Sequence, residues 1–290
     1  MNLKLIANPA AGSAALERIR SMVALLEQGG ARVDLTLTKG RGDAQRAAAA
    51  AKQGSFQRIV AAGGDGTLNE VINGLAPSHL PLAFVPMGTA NVFALEAGLP
   101  FDLEQACALA LHGPPRPVCL GSANGRRFLL MAGVGFDAAV VERVNLRLKR
   151  RFGKPAYLIS AMQVLCGPLP GELQVVTDRG ELYRAYGAIV SNARHYGGRF
   201  VISPQADMQD DALAVCLFLR PGRFALLRTA IRIAMGRPPG PGDVRQLRVQ
   251  SLTATGSGIP VQIDGDYLGA LPLTFQARFG ELQVVFPSDR

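Results

Sequence analysis

A short glycine-rich run, Gly63-Gly64-Asp65-Gly66-Thr67, combines residue types that suit the binding of phosphate groups. It follows a strand-like segment and precedes a helical one, so the N–H groups of the helix start can face an anion. Glycine also lets the backbone approach an anion closely. The Asp65 carboxylate would repel phosphate unless a cation such as Mg²⁺ lies between them. The alternative is a tight strand-to-helix turn in which Asp65 caps the helix.

Two other polar loops also follow predicted strands. The strands Leu3–Ala7, Arg58–Ala62 and Leu82–Pro86 alternate with helical segments, which predicts a parallel sheet with helices on its faces. Ligands of such sheets bind at the carboxyl ends of the strands. The loops Asn8 to Ser13 and Met87 to Asn91 therefore share one sheet edge with the glycine-rich run. The predicted helices of this region are Ala14–Gln28, Asp43–Gln53, with Asp43 as its cap, and Leu68–Leu75.

Three prolines within residues 114–117 cannot continue a helix and predict a domain boundary. Residues 1–117 are interpreted as a three-layer α/β nucleotide-binding domain. Residues 118–290 are interpreted as a β-sandwich-like domain, whose last strand has the option of packing on the first domain. Its predicted strands are Val118–Ser122, Arg127–Ala132, Leu173–Thr177, Tyr186–Ser191, Leu213–Leu219, Gln246–Ala254, Val261–Asp264 and Gln283–Phe286, with helices at Asp137–Arg151 and Pro155–Leu165.

Composition excludes several classes of protein. The 290 residues are 48% hydrophobic and 18% charged, which is typical of a globular chain. The four cysteines lie apart among apolar neighbours, which favours reduced, buried thiols over disulfides or zinc. The start of the chain does not resemble a signal peptide, and no apolar run is long enough to span a bilayer, so we expect a cytoplasmic protein. A net charge of +9 suits an anionic partner, while the absence of tryptophan and 6% aromatic content argue against nucleic acid.

The string Gly63 to Glu70 resembles the nucleotide loop of the diacylglycerol-kinase, sphingosine-kinase and NAD-kinase superfamily. Other segments resemble one branch of it, the bacterial diacylglycerol-kinase-like lipid kinases, in the same order along the chain. These segments are Asn8-Pro9-Ala10-Ala11-Gly12, Thr38 to Ala44, Pro86 to Asn91, Met131 to Ala138, Tyr196-Gly197-Gly198, Ser203 to Ala206 and Asp264-Gly265-Asp266. The resemblance therefore covers nearly the whole chain.

This resemblance implies an ATP- and Mg²⁺-dependent kinase that phosphorylates a lipid hydroxyl, on a diacylglycerol-like lipid, phosphatidylglycerol or a sphingoid. Asp65 would act on the phosphates through Mg²⁺. A second Mg²⁺ would be held by the Asp211 carboxylate and the Met208 and Leu213 carbonyls, with a solvated acidic turn as the alternative. The implied ATP site consists of Asn8, Pro9, Ala10, Ala11, Gly12, Thr38, Gly63, Gly64, Asp65, Gly66, Thr67, Leu68, Asn69, Glu70 and Thr89.

Two positions depart from the family pattern. The family has a glutamate as general base where this chain has Asp266, which is one methylene shorter; the alternative is that Asp264-Gly265 simply forms a hairpin turn. Related sequences carry an aspartate where this chain has Val92. If the missing carboxylate has a substitute, Asp137 is a candidate, whereas Asp102 is interpreted as a helix cap.

The basic residues and the implied lipid substrate indicate the partners. Six cations between Arg143 and Lys154 recur beside valines at helical spacing, which favours either peripheral contact with an anionic membrane at its inner face or a solvated helix face. A homodimer is compatible with the sequence. Two other functions stay open: a kinase of soluble nucleotides like NAD kinase, and a nucleotide-binding regulator with weak catalysis, which the changes at Asp266 and Val92 would explain.

Overall fold

The computed structural model describes residues 1–12, 14–144, 154–198, 200–237, 239–240 and 242–288. Two compact units divide the chain. The first comprises Met1–Leu120, Gly197–Arg199 and Arg278–Arg290, and the second comprises Gly121–Tyr196 and Phe200–Ala277. The last segment of the chain thus belongs to the same unit as the first.

The first unit is an α/β domain. Strands and helices alternate as β1 Asn2–Ala7, α1 Ala15–Gln28, β2 Arg32–Leu37, α2 Asp43–Ala51, β3 Arg58–Gly63, α3 Asp65–Leu75, β4 Leu82–Pro86, α4 Val92–Ala97 and α5 Leu103–His112. Four strands pair in parallel in the order β2–β1–β3–β4. The end of β18, Leu273–Val285, pairs in parallel with β4 through Val284 and Leu82. This arrangement confirms the predicted α/β class.

Helical periodicity decides which face of α1 is buried. Ile19, Met22 and Leu26 lie in the core of this unit, at the spacing of one helix face. Leu16 and Val23 are also apolar and at helical spacing, but Leu16 is half exposed and Val23 only borders the core. The apolar positions alone allowed a stripe rotated by one residue, and packing on the sheet selects the one that contains Met22.

Three strands of the parallel sheet end at one edge. β1, β3 and β4 end at Ala7, Gly63 and Pro86, and the register pairs Ala7 with Ala62 and Gly63 with Pro86. Because the strands are parallel, the loops that follow them emerge side by side. The fold therefore brings together the loops that carry the nucleotide motifs.

The second unit is rich in antiparallel strands. Its elements are β6 Arg126–Phe128, β7 Met131–Gly135, α6 Phe136–Arg143, α7 Lys154–Cys166, β8 Leu173–Thr177, β9 Leu182–Ala185, β10 Gly187–Ser191, β11 His195–Tyr196, β12 Phe200–Val201, β13 Leu213–Phe218, α8 Arg223–Ala234, β14 Val244–Val249, β15 Ser251–Thr255, β16 Pro260–Ile263, β17 Asp266–Ala270 and the start of β18. β5, Pro115–Ala123, passes from the first unit into the second. One sheet has the order β14–β13–β10–β7–β16–β17, and another set pairs as β18–β15–β8–β9. The sandwich-like class predicted for this region is confirmed.

Two predicted strands are each divided. Gln246–Ala254 is two strands in different sheets, since β14 pairs with β13 and β15 pairs with β8. The chain changes sheet at Gln250, whose N–H donates to the Asp178 carboxylate at 3.2 Å instead of to a ladder partner. Arg127–Ala132 is divided because the N–H groups of Leu129 and Leu130 donate to the Asp264 carboxylate.

The sequence did not predict α8, whose apolar residues are interrupted by arginines. Of the predicted helix Asp137–Arg151, residues up to 144 are described, and 143 is the last in α6. Among the described residues, no helix combines the length and the apolarity needed to cross a membrane.

Candidate active site

Asn8 ties the loop after β1 to the glycine-rich loop. Its side-chain oxygen accepts from the Ala10 N–H at 2.9 Å, which folds the loop back on itself. Its side-chain nitrogen donates to the Thr67 hydroxyl oxygen at 3.3 Å. The loop after β1 and the glycine-rich loop are therefore in direct contact.

The glycine-rich loop ends in an open helix start. Gly64 is the N-cap of α3 and has no side chain with which to cover the N–H groups of the first turn. A Cβ atom at Gly66 would meet no atom within 4 Å. The N–H groups of a helix start and the positive end of the helix dipole together favour the binding of an anion.

The loop Met87 to Asn91 packs against the glycine-rich loop, backbone to backbone. The Met87 N–H donates to the Gly63 carbonyl at 2.8 Å. A Cβ atom at Gly88 would lie 2.6 Å from the Gly64 Cα atom, so only glycine fits there without displacing the other loop. The Asn91 side chain fixes Gly88 from both sides, accepting from its N–H at 3.0 Å and donating to its carbonyl at 2.7 Å.

Asp65 does not cap its own helix. One of its carboxylate oxygens accepts from the Val92 N–H at 3.0 Å and the other from the Phe93 N–H at 3.1 Å, at the start of α4. Burial raises the pKa of the Asp65 carboxyl, although hydrogen bonds from the N–H groups of Phe93, Val92 and Asp65 itself act in the opposite direction. Asp65 thus links the two glycine-containing loops.

Glu70 holds a different segment of the site. Its carboxylate accepts from the N–H groups of Gly42 at 2.9 Å and Ala44 at 3.2 Å, and so it caps α2. Asp43, the predicted cap, instead accepts from Lys39 and Gly40, and these two bonds lower the pKa of its carboxyl. The expected ATP residue Glu70 therefore has a positioning contact in the structure.

The remaining expected ATP residues differ in access. Thr38 is buried, and its N–H donates to the Ala7 carbonyl at 2.9 Å. Leu68 and Asn69 are buried within α3. The exposed or partly exposed ones are Pro9, Ala10, Ala11, Gly12 and Thr89.

A surface groove of about 550 Å³ lies elsewhere in the first unit. Its walls include Lys4, Lys39, Arg46 and Phe56, but none of the residues of the three loops. Two of its cations already form ion pairs, Lys4 with Asp34 and Arg46 with Asp43. The loops, where backbone donors converge at a helix start, are therefore the stronger candidate for the ligand site.

In the second unit, Asp266 begins β17 beside a tight turn. Asp264 and Gly265 have φ values of 46° and 84°, the left-handed pair that a two-residue type I′ hairpin requires. The turn is anchored by the Asp264 carboxylate, which accepts from the N–H groups of Leu129, Leu130 and Met131 at 2.8–3.0 Å. The Asp266 side chain is about half exposed and pairs with Arg126 at 3.1 Å. The hairpin interpretation is thus correct and leaves the Asp266 carboxylate accessible.

A polar network lies directly behind this hairpin. The Asp137 carboxylate accepts from the Tyr196 hydroxyl and, at 2.7 Å, from the Gln262 amide, whose oxygen accepts from the Gly265 N–H at 2.8 Å. Burial raises the pKa of Asp137, and burial followed by the Asp137 charge raises the pKa of Tyr196 well above its usual value. The sequence predicted no role for Gln262; its polar side chain in a buried strand was the available signal.

An arginine from another segment of the chain binds the acidic turn at residues 208–213. Arg248 donates to Asp210, through Nε at 2.7 Å, and to Asp211 at 2.9 Å. Its hydrogen bonds lower the pKa of Asp210. Met208 and Leu213 are buried, whereas Asp211 is exposed. In the described part of the chain, no three His, Cys, Asp or Glu side chains cluster as metal ligands. Arg248 thus supplies a positive charge beside this turn, and the second Mg²⁺, held by the Asp211 carboxylate and the Met208 and Leu213 carbonyls, stays a prediction.

Two family models together match most of the chain. Residues 2–123 match the diacylglycerol kinase catalytic domain, and residues 131–286 match the YegS C-terminal NAD kinase beta sandwich-like domain. This chain belongs to the diacylglycerol-kinase-like lipid kinase family. As a member, it is a phosphotransferase with an alcohol acceptor.

Relatives of this lipid kinase match it over nearly their full lengths. A Pseudomonas putida protein named "Probable lipid kinase YegS-like" is 36% identical, over 94% of this chain and 91% of its own. The Bacillus subtilis diacylglycerol kinase is 29% identical, over 99% and 97%. A crystal structure of a diacylglycerol kinase from Bacillus anthracis has a TM-score of 0.81 at 24% identity, over 99% and 98%, which supports the fold.

Proposed function

We propose that this kinase transfers the γ-phosphoryl group of ATP to the hydroxyl group of a membrane lipid in a Mg²⁺-dependent reaction. The observation that carries this proposal is the contact of two glycine-containing loops, through Gly64 and Gly88, at the open start of α3. Phosphoryl transfer needs little covalent chemistry from the protein, so positioning and charge stabilisation dominate. A set of fixed backbone donors provides both.

The nucleotide phosphates would lie over the glycine-rich loop. The first-turn N–H groups of α3 point toward such an anion, and Asn8 holds the neighbouring loop through Thr67. Mg²⁺ bound to the phosphates would neutralise charge on the transferred group, with Asp65 as the nearest carboxylate on the loop. Asp65 at the same time fixes the loop after β4, so it shapes the site whether or not it contacts the metal.

Asp266 is proposed as the general base. It is accessible, it stands at the end of a rigid two-residue turn, and Gln262 and Asp264 hold that turn from inside. A carboxylate at this position can accept a proton from a hydroxyl, and the Arg126 guanidinium lies 3.1 Å from it. When the acceptor binds, Arg126 would have to move away from this carboxylate or remain bound to one of its oxygens.

The acceptor is proposed to be a lipid of the diacylglycerol, phosphatidylglycerol or sphingoid type. The Bacillus subtilis relative is named a diacylglycerol kinase, which makes diacylglycerol the first lipid to test. Such an acceptor lies in a bilayer, and ATP is a cytoplasmic nucleotide. We therefore place the protein in the cytoplasm, peripheral to the inner face of the membrane. Most of the basic run from Arg143 to Lys154 lies outside the described residues.

The proposal is tested by transfer of labelled phosphate from ATP to a panel of lipids and to NAD, with Mg²⁺ or a chelator. We expect one lipid class to be labelled only with Mg²⁺, and Asp266→Asn to lower kcat by about 10²-fold or more. Asp34→Asn is the matched control, because Asp34 is also exposed and paired with one cation, Lys4 at 2.9 Å. Labelling of NAD and of no lipid would overturn the proposal that the acceptor is a lipid. Full activity of Asp266→Asn would overturn the proposal that Asp266 is the general base.

A further inference from the structure

Helix α8 presents a stripe of large apolar side chains to solvent. Phe224 is 90% exposed, Leu227 47%, Ile231 51% and Met235, the residue after the helix, 62%. Their spacing of three, four and four residues places them within about 80° of one helix face, at about 100° per residue. The stripe is continuous along the whole helix, unlike the single exposed apolar residues of ordinary surfaces.

The opposite face of α8 fixes the helix to its own unit. Thr229 is buried, and Ile233 packs on a cluster that contains Ile202 and Cys216. An ordinary surface helix turns its larger apolar face inward. Here the larger apolar residues point outward while a smaller face holds the helix, so the stripe is not explained by the packing of this unit.

Arginines flank the stripe. Arg228 and Arg232 lie on one side of it and Arg223 on the other, while Arg220 and Arg237 adjoin the two ends of the helix. There is no acidic residue from 212 to 242. Arg228 pairs with Asp243, whereas Arg223 donates to two carbonyl groups at the end of helix α7. An apolar stripe with basic flanks matches a surface that is apolar inside and anionic outside.

A second helix of the same unit adds apolar surface. Leu158, Ile159 and Met162 of α7 are 68%, 49% and 53% exposed. The end of α7 is tied to the start of α8, since Arg223 donates to the carbonyls of Leu165 at 2.6 Å and Gly167 at 2.9 Å. The two partly apolar helices are therefore held together at the point where the α8 stripe begins.

We infer that α8 is an interfacial helix that docks on an anionic bilayer. Phe224, Leu227, Ile231 and Met235 enter the boundary between headgroups and acyl chains, and the flanking arginines contact lipid phosphates. A second copy of this chain fits the surface less well, because two facing stripes would bring two sets of arginines together.

The absence of tryptophan from the chain allows a direct test. Phe224→Trp introduces one fluorophore at the most exposed position of the stripe. We expect its emission to shift to shorter wavelength with vesicles that contain phosphatidylglycerol, and to shift little with phosphatidylcholine alone. Phe101→Trp is the matched control, since Phe101 is 50% exposed but lies in the first unit. Unshifted emission from the Phe224→Trp variant, or an equal shift in both variants, would overturn the inference.

Sedimentation with the same vesicles measures how much the stripe contributes to membrane binding. Phe224→Ala should lower the partition coefficient by about tenfold or more, and Arg237→Gln by about fivefold at low salt. Higher salt should weaken binding of the unaltered protein. If the emission of the Phe224→Trp variant shifts with protein concentration in the absence of vesicles, the stripe contacts a second copy of the chain. That result would overturn the inference that α8 docks on a bilayer. Binding that is independent of salt and of lipid charge would overturn it as well.

This inference rests on the proposed function only in that a lipid acceptor lies in a membrane. Vesicle binding is measured without ATP, so the two proposals fail separately. A protein that binds vesicles through α8 but labels no lipid would contradict the proposed reaction. A protein that labels detergent-dispersed lipid, but whose Phe224→Trp variant shows no shift with vesicles, would contradict the docking surface alone.

Discussion

At the scale of single residues, several carboxylates of this kinase hold backbone segments in place. Asp65, Glu70 and Asp264 each accept from two or three N–H groups of a segment distant in sequence. The sequence predicted the glycine-rich loop, because glycine and a following helix have local consequences. It did not predict these carboxylate contacts, because each joins residues at least 26 positions apart. Asp102 was predicted as a helix cap from local pattern alone, and this is confirmed at 3.0 Å.

Asp65 should contribute more to stability than a simple cap does. Asp65→Ala removes the acceptors of the Val92 and Phe93 N–H groups, which lie in buried residues, and we expect the free energy of unfolding to fall by about 2–3 kcal/mol. Asp102→Ala removes an exposed cap and should lower it by about 1 kcal/mol. Urea unfolding of both variants measures the difference. Equal losses would contradict the linking role of Asp65.

Asp137 should make stability depend on pH. Its pKa in the folded protein is raised by burial above the value of about 3.9 in the unfolded chain. The carboxyl is protonated in both states at low pH. As pH rises through the interval between the two values, the unfolded state ionises first and the folded state loses stability.

Asp137→Asn removes this loss, so the Tm of the variant minus that of the unaltered protein should increase from about pH 4 upward. Thermal unfolding of both proteins between about pH 4 and pH 8 gives this difference directly. Using the difference removes the contribution of all other titrating groups. A difference that stays constant across the range would mean that the Asp137 carboxyl ionises equally easily in both states.

At the scale of elements, the alternation of strands and helices predicted the first unit well, because each pattern repeats with its own period. Boundaries depended on longer-range contacts. Helix α3 starts at Asp65 and not at Leu68, since the polar first turn is helical before the apolar pattern begins. Gln246–Ala254 kept one alternating pattern through a change of sheet at Gln250. Helix α8 escaped prediction because its larger apolar residues lie on its exposed face.

Two substitutions distinguish the contribution of the contact between the two glycine-containing loops from that of the anion site. Gly88→Ala places a Cβ atom 2.6 Å from the Gly64 Cα atom and should force the loops apart, lowering stability by about 1–3 kcal/mol together with ATP affinity. Gly66→Ala adds a methyl group in open space on a helix, where alanine is favoured by about 1 kcal/mol.

Gly66→Ala should therefore be as stable as the unaltered protein or more stable, while the methyl group beside the helix start weakens nucleotide binding. Thermal unfolding gives the stability and titration with a fluorescent ATP analogue gives the affinity. If Gly66→Ala binds ATP normally, the phosphates do not lie over the first turn of α3. If Gly88→Ala leaves both the thermal stability and the ATP affinity unchanged, the two loops are not held in the contact described.

At the scale of the whole molecule, composition and element order predicted an α/β part followed by a β-rich part. They could not predict the acceptor lipid, because apolar side chains of any pocket look alike in a sequence. The sequence also predicted that the cysteines are buried. Cys107, Cys119 and Cys216 are buried, whereas Cys166 is exposed at the end of α7.

The four cysteines therefore report on the integrity of both units at once. Burial raises the pKa of Cys107 to about 11 and that of Cys216 to about 12, so neither is a thiolate near neutral pH. We expect a thiol reagent to modify one cysteine per native chain quickly, and all four in denaturant. Cys166→Ser should abolish the fast reaction and leave the other three unchanged. More than one fast thiol in the native protein would show that a core described here as closed is open to solvent.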